Sequence, residues 1–230
     1  MAVAVDAVSS AETQSAGGVT TATHTNLTIG AALSNGALIF GVAWDIKITS
    51  PNAHWDSTGT NQLMTLLGVV NTTGTNGTVA IFGLRNPTSG NKTFSTSWTT
   101  ASTCMIFGIS FTGVDQTSDA AAFAHFNSAT GNSTAPSVTI TSATGNIIVG
   151  AFVNDSNAID WTSVNNTTLC VNAGIQLAMN RAAGAASVAM SGVLASGDTW
   201  AATGIDVVAA GAATLVPYEP WRQAGPILAQ

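Results

Sequence analysis

The stretch "GALIFGVAW" (residues 36–44) decides the fold class. It is a continuous run of branched and aromatic residues, which is typical of a buried β-strand. It is too short to cross a bilayer as a helix, which takes about 18 or more apolar residues. A second run, "GNIIVGAFV" (145–153), resembles it, and each run follows a Thr-rich alternating segment, at residues 21–30 and 136–145. The two runs predict two related halves of the chain.

The rest of the sequence follows the same style, with short apolar runs separated by Gly, Asn, Ser and Thr. A second internal similarity relates residues 97–111 to residues 191–206. We expect strands near 20–29, 36–48, 62–70, 78–85, 93–98, 103–112, 136–141, 146–153, 174–180, 186–191 and 199–209. The predicted fold is all-β: a jelly-roll-like antiparallel β-sandwich of two Greek-key halves, each of four or five strands, around one shared core. A closed barrel is the alternative.

The chain divides into three parts in this interpretation. Residues 1–19 form an N-terminal segment, residues 20–211 form the sandwich, and residues 212–230 form an extended C-terminal arm. Within the sandwich, the Asn-Gly pair of "NTTGTNGT" (71–78) predicts a hairpin. Residues 118–126 fit either one helical turn or a loop that packs Phe123 and Phe126. Gly184 and the alternation after it favour a hairpin at residues 180–190.

Composition limits the partners that the chain can take. Only 7% of residues are charged, against roughly 25% in ordinary globular proteins, whereas 46% are hydrophobic. A hydrophobic fraction of this size excludes disorder. The net charge is −6 and the five Lys and Arg residues are scattered, so binding to nucleic acid is not expected. A neutral surface of Thr, Ser, Asn, Gly and Ala suits a protein packed against copies of itself or inside a large assembly.

The cysteines and the N-terminus bear on the cellular compartment. Cys104 and Cys170 have no close spacing and fit two buried free thiols, with one bridge between strands as the alternative. The first 18 residues lack a basic segment and a sustained apolar stretch and contain Asp6 and Glu12. They do not resemble a secretory signal, so we expect synthesis in a cytoplasm.

The order of four segments resembles a known family. These segments are "NGALIFGVAW" (35–44), "CMIFGISFTGVDQTSD" (104–119), "PSVTITSATGNIIVGAFVN" (136–154) and "WAATGIDVVAAG" (200–211). Their succession is similar to a large family of β-sandwich domains found in bacteriophage virion proteins and in bacterial surface or secreted proteins. Its most specific element is "SFTGVDQT" (110–117). The resemblance covers roughly residues 20–211 and implies a fold and a setting, without catalytic residues.

Taken by itself, "GVDQT" reads as a turn. Gly113 can adopt a left-handed backbone conformation, and Asp115 can accept backbone N–H bonds as an Asx cap. The sequence therefore predicts a structural role for Asp115 rather than that of an acid catalyst.

Catalytic and metal-binding patterns are weak. His54 and Asp56 flank Trp55 and would share a strand face, but no G-x-S-x-G stretch supplies a nucleophile, so a hydrogen-bonded surface pair is expected. The oxygen-bearing side chains at residues 154–160 are of the type that calcium uses. They lack the spacing of a calcium loop, so side chains capping their own backbone are the favoured alternative. These candidate ligands are Asn154, Asp155, Asn157 and Asp160. No cofactor is predicted.

Binding of a glycan is the alternative function that the sequence leaves open. Lectin-type sandwiches stack a sugar ring on an exposed aromatic side chain, and Trp44, Trp55 and Trp161 lie near Asn and Asp residues. The candidate glycan site consists of Trp55, Asp56, Asn154 and Trp161. The competing interpretation is that these tryptophans fill the core or a contact between subunits.

The segment "TLVPYEPWRQAGPILAQ" (214–230) differs in composition from the rest. Its prolines favour extended backbone, and its large aromatic and arginine side chains are typical of protein interfaces. The predicted partner-binding residues are Tyr218, Trp221, Arg222, Ile227 and Leu228. We expect the arm to bind a neighbouring subunit, with folding back on its own sandwich as the alternative.

These features together predict a structural virion protein of a bacteriophage, most simply a capsid decoration or cement protein without enzymatic activity. Expected partners are copies of itself, with a homotrimer as the first expectation, and the major capsid protein or another virion protein. The alternative is an adhesin module that binds glycans or a host surface.

Overall fold

In the computed structural model, residues 1–31, 33–156, 159–171 and 177–211 are described, and most of them lie in β-strands. The strands of the first half are β1 (Ala4–Val8), β2 (Thr13–Gln14), β3 (Val19–His24), β4 (Thr28–Ile29), β5 (Ala37–Trp44), β6 (Asn52–Trp55), β7 (Gln62–Leu63), β8 (Thr65–Asn71), β9 (Thr78–Arg85), β10 (Gly90–Asn91), β11 (Phe94–Ser102) and β12 (Cys104–Thr112). After helix α1 (Asp119–Ala122), the second half has β13 (Phe123–Ser133), β14 (Ser137–Ile140), β15 (Ile147–Asn154), β16 (Trp161–Val164), β17 (Thr167–Val171), β18 (Ala178–Ala183), β19 (Val188–Leu194) and β20 (Asp198–Val207).

Each half contributes one large and one small sheet, and in the first half β4 also pairs with β10 as a separate two-stranded sheet. The first large sheet has the order β1-β12-β5-β9-β8, with β2 also paired to β12, and the first small sheet has the order β3-β11-β6-β7. The second large sheet has the order β13-β20-β15-β18-β17, and the second small sheet has the order β14-β19-β16. All strand pairs among the described residues are antiparallel. The predicted all-β class with antiparallel sheets, as in a sandwich, is therefore confirmed.

The two large and two small sheets stack as four layers with three hydrophobic cores. A central core fills the space between the two large sheets, and an outer core lies between each large sheet and its own small sheet. Strand β5 is buried along its whole length because Ile39 faces the central core while Phe40 and Val42 face the first outer core. This double burial is the physical reason for the unbroken apolar run that opens the sequence.

The internal echo corresponds to a repeated arrangement of strands. The large sheets place β1, β12, β5, β9 and β8 in the same order as β13, β20, β15, β18 and β17. The order β3-β11-β6 likewise recurs as β14-β19-β16. The prediction of four or five strands per half around one core was too simple, since each half has its own pair of sheets and only the central core is shared. The jelly-roll description of each half stays a prediction.

The N-terminal segment belongs to the sandwich. Strand β1 pairs with β12, and Val3 is buried in the central core. The predicted boundary at residue 20 is therefore too late. An edge strand needs only a short alternating pattern, and "AVDAV" (4–8) supplies one with too few apolar residues to stand out.

Two local predictions had opposite outcomes. The hairpin at residues 71–78 is confirmed, because β8 and β9 pair with Asn71 opposite Thr78, and Gly77 has a φ of +83°. Residues 180–190 do contain two strands, but they do not form a hairpin. Strand β18 pairs within the second large sheet and β19 within the second small sheet, so this turn crosses between layers.

The "GVDQT" turn joins the two halves. Gly113 has a φ of +75°, and the Asp115 carboxylate accepts the N–H of Thr117 at 2.7 Å, which confirms the predicted cap. Val114 forms a β-bridge with Ala209, beyond the end of β20. The turn therefore ties the end of the first half to the end of the second.

Residues 118–126 combine the two structures that the sequence left open. The Ser118 hydroxyl caps the single turn of α1 by accepting the N–H of Ala121. Phe123 is buried, and the ring of Phe126 lies where a Cβ on Gly68 of β8 would be. The segment therefore closes the side of the central core with the Phe123 ring, whereas the Phe126 ring packs on β8 and stays partly exposed.

Candidate functional site

The predicted partner-binding residues of the C-terminal arm lie outside the described residues. These are Tyr218, Trp221, Arg222, Ile227 and Leu228. The assignment of the arm to a neighbouring subunit therefore stays a prediction.

The tryptophans proposed as a glycan platform are buried. Trp55 is fully buried in the first outer core, where its indole N–H donates to the Thr88 carbonyl at 2.9 Å. Trp161 is 4% exposed in the second outer core, beside Phe152. Asn154 is also buried. The structure contradicts the sugar-stacking surface and supports the competing interpretation, because each tryptophan lies on a small sheet and packs in the core between it and the large sheet of its own half.

Asp56 caps a loop instead of pairing with His54. It follows the end of β6 with a φ of +52°, so the two side chains do not share a strand face. Its carboxylate accepts the N–H of Thr60 at 3.1 Å and lies 3.5 Å from the Lys92 ammonium. The Thr60 N–H is the main cause that holds the pKa of Asp56 below its usual value. The predicted His54–Asp56 pair is therefore wrong.

Two of the four candidate calcium ligands, Asn154 and Asp155, form side-chain hydrogen bonds within the protein. The Asn154 amide donates to the carbonyls of Ser156 and Ile159, and Asp155 accepts the N–H of Asn76 on the β8–β9 hairpin. Asn157 lies outside the described residues. This arrangement fits side chains that cap backbone, and no group of three acidic, His or Cys side chains that could hold a metal occurs in the described ranges.

Both cysteines are free and buried, as the favoured interpretation of the sequence predicted. Burial raises the pKa of the Cys104 thiol to about 12 and also raises the pKa of Cys170. At neutral pH both side chains are therefore uncharged, and a thiol in this state is a poor nucleophile.

A buried histidine cluster escaped sequence reasoning. His24 on β3 is 1% exposed, with its Nε2 2.9 Å from Ser9 Oγ and its Nδ1 2.8 Å from Thr13 Oγ1. Burial lowers the pKa of His24 to about 4, so the imidazole is neutral at pH 7. This Ser–His pair has no exposure to a substrate, and we interpret it as a structural link between the first large and small sheets.

A second polar cluster surrounds Asp206, which is fully buried near the end of β20. Its carboxylate accepts hydrogen bonds from Ser142 Oγ at 2.6 Å and from Asn146 Nδ2 at 2.9 Å, and it lies 3.2 Å from His125 Nδ1. The first half has a counterpart, where Ser110 of β12 donates to Asp6 at 2.8 Å. Both Asp6 and His125 occupy bulges of the first strand of their half.

We expect Asp206→Asn to lower the free energy of unfolding by about 2 kcal/mol, because the new amide places N–H groups against buried donors. Urea unfolding at pH 7 measures the difference. Asp6→Asn is the matched control, since Asp6 is the exposed carboxylate of the corresponding cluster in the first half, and it should cost less. Equal losses in the two variants would contradict the role given to burial.

A further accessible feature is the outer edge of β13, where the Asn127 amide donates to the Thr139 carbonyl and its oxygen accepts the N–H of Ser128. This strand pairs with β20 alone in the described part of the chain, in unbroken register from Asn127 opposite Gly204 to Ser133 opposite Asp198. Most of its residues beyond Ala124 are exposed, including Ser128, Thr130 and Asn132. An open edge carries main-chain groups that can pair with another strand.

The residues that the structure describes contain no ligand pocket, and no helix among them has the length and hydrophobicity to cross a membrane.

No family model matches the chain, and no curated protein is similar to it in sequence. The family resemblance of "SFTGVDQT" (110–117) therefore stays a prediction.

Proposed function

We propose that the protein is a structural component of a bacteriophage particle that decorates or cements the capsid. The observation that carries the proposal is the long, uncharged edge of β13 on a four-layer body whose buried carboxylate and histidine are bound internally. Such an edge offers main-chain pairing to a neighbour. The proposed role requires no bond to be made or broken.

The setting of the proposal comes from the sequence. The order of segments around "SFTGVDQT" (110–117) resembles β-sandwich domains of virion proteins, and 7% charged residues suit a surface covered by other subunits. The proposed contacts are the open strand edges and the arm at residues 212–230. Neighbouring copies and a major capsid protein are the proposed partners.

Purified particles provide the test of the setting. An antibody against the protein should label the outside of particles from a lysed host culture, and mass spectrometry should find the chain in them. A protein that stays with host cell envelopes and is absent from particles would overturn the proposal and favour a bacterial surface role.

The contribution of the arm is tested by deleting residues 212–230. We expect the truncated chain to keep its far-UV circular dichroism spectrum and its unfolding midpoint but to lose incorporation into particles. Tyr218→Ala with Trp221→Ala in the full-length chain is the milder version of the same test. Normal incorporation of both variants would show that the arm is not the contact.

A further inference from the structure

The structure points to the β13 edge as a self-association site: we propose that β13 pairs antiparallel with β13 of a second copy. The inference deepens the proposed structural role, on which its biological meaning rests. Pairing of this kind joins the second large sheets of two molecules into one continuous sheet. A twofold axis closes the contact, so the expected unit is a dimer rather than the trimer that the sequence suggested.

The repeated arrangement of the two halves provides an internal comparison. Strands β1 and β2 occupy the same edge of the first large sheet that β13 occupies in the second. In the first half this edge is interrupted. Strand β1 pairs with β12 only as far as Val8, and the next strand on this edge, β2, begins at Thr13. It also carries Asp6 and Glu12. Interruptions and charges are the devices by which proteins prevent strand addition.

The equivalent edge of the second half has neither device. Residues 127–133, "NSATGNS", contain no charged residue and no proline, and their register with β20 is unbroken. The bulge of β13 lies before this stretch, between Ala124 and Asn127. The acidic residues of the neighbouring strand β20 are Asp206, which is buried, and Asp198, which is bound by the amide of Asn154. Protection against strand addition is therefore present on one edge and missing from its counterpart.

The absence of charge on this edge favours a second copy as the occupant. With a net charge of −6, two molecules repel each other, and the repulsion is weakest where neither surface carries charge. Antiparallel pairing of the stretch with itself is centred on Thr130. It places Ser128 opposite Asn132 and Asn127 opposite Ser133 of the other copy. These are small polar pairs that can hydrogen-bond across strands without a like-charge contact.

The mass of the full-length protein in solution tests the inference. Sedimentation equilibrium should give twice the 23.1 kDa chain mass, and the fraction of dimer should rise with added salt because screening weakens the repulsion. Thr130→Lys opposes two like charges at the axis and should return the chain to monomer, with an unchanged circular dichroism spectrum. Ala4→Lys, on the equivalent edge strand of the first half, is the matched control and should stay dimeric.

A charge-pair rescue tests the register. Ser128→Lys alone should weaken association at least tenfold, and adding Asn132→Glu should restore it, since positions 128 and 132 face each other across the axis. Hydrogen exchange gives a second readout, because backbone amides of residues 127–133 should gain protection with protein concentration. A monomeric wild-type protein at 100 µM, or a Thr130→Lys variant that associates normally, would overturn the inference.

The outcomes separate this inference from the proposed function. If the wild-type chain dimerises through β13 but is absent from particles, the self-association site stands and the capsid role fails. If the chain is found in particles while Thr130→Lys neither alters its mass nor its amide protection, the capsid role stands and the β13 site fails.

Discussion

Phe40→Ala is expected to lower the free energy of unfolding by about 4 kcal/mol, the largest loss of the substitutions considered. Phe40 is fully buried in the first outer core, with its ring 4.0 Å from that of Phe94 and 6.0 Å from that of Trp55. Removing a buried phenylalanine ring loses its transfer free energy and leaves a cavity. Urea unfolding followed by tryptophan fluorescence and by circular dichroism measures the loss.

A double-mutant cycle with Gly108 shows whether the loss arises at this contact. A Cβ at Gly108 would lie 2.4 Å from Phe40 Cε1, so Gly108→Ala should destabilise the wild-type chain. In the Phe40→Ala background the same change should cost much less, because the ring has gone. If the losses of stability in the two single variants simply added in the double variant, the proposed contact would be contradicted. Phe126→Ala, at a 39% exposed ring, is the control and should cost less than Phe40→Ala.

Acidification from pH 7 to pH 4 is expected to remove about 3 kcal/mol of stability through His24 alone. Burial lowers its pKa from 6.5 to about 4, so the unfolded chain binds the proton first as the pH falls. The stabilisation is complete above pH 6.5 and is lost as the pH falls towards 4. Each pKa unit corresponds to about 1.4 kcal/mol.

His24→Gln removes this titration. The free energy of unfolding of this variant will differ from that of wild type at pH 7. The decrease in that free energy between pH 7 and pH 4 should be smaller than in wild type by about 3 kcal/mol. An NMR titration of wild-type His24 gives an independent readout, since the imidazole should remain neutral down to about pH 4. An imidazole that titrates near pH 6.5 in the folded protein would contradict the burial argument.

Strands with an apolar face were accessible from the sequence. β5, β12 and β15 are buried on both faces, and their long apolar runs predict this directly. The 11 residues of β13 escaped prediction because an edge strand with exposed residues carries Asn, Ser and Thr where a buried strand carries Val and Ile. Polar residues in a strand indicate that the strand is exposed. From the sequence alone, without knowledge of the neighbouring strand, such a segment cannot be distinguished from a loop.

Among the candidate sites, too, contacts between residues close in the sequence were predicted and contacts between distant residues were not. The cap formed by Asp115 was predicted because its partner, Thr117, lies two residues away. Trp55 and Trp161 were placed at the surface in the glycan alternative, although both are buried between the small and large sheets of their own halves. The clusters of His24 and Asp206 join residues that are distant in the chain, as Asp206 and Ser142 are, and no spacing rule identifies such pairs.

The sequence by itself determined the all-β class, the two related halves and the turns at residues 71–78 and 113–117, because strand burial and turn conformation depend on neighbouring residues. Only the tertiary structure decided that each half has its own core, that residues 180–190 cross between layers, and that one of two equivalent edges lacks protection. Sheet order and layer stacking arise from contacts between distant segments, so the same local pattern is compatible with several arrangements until the chain has folded.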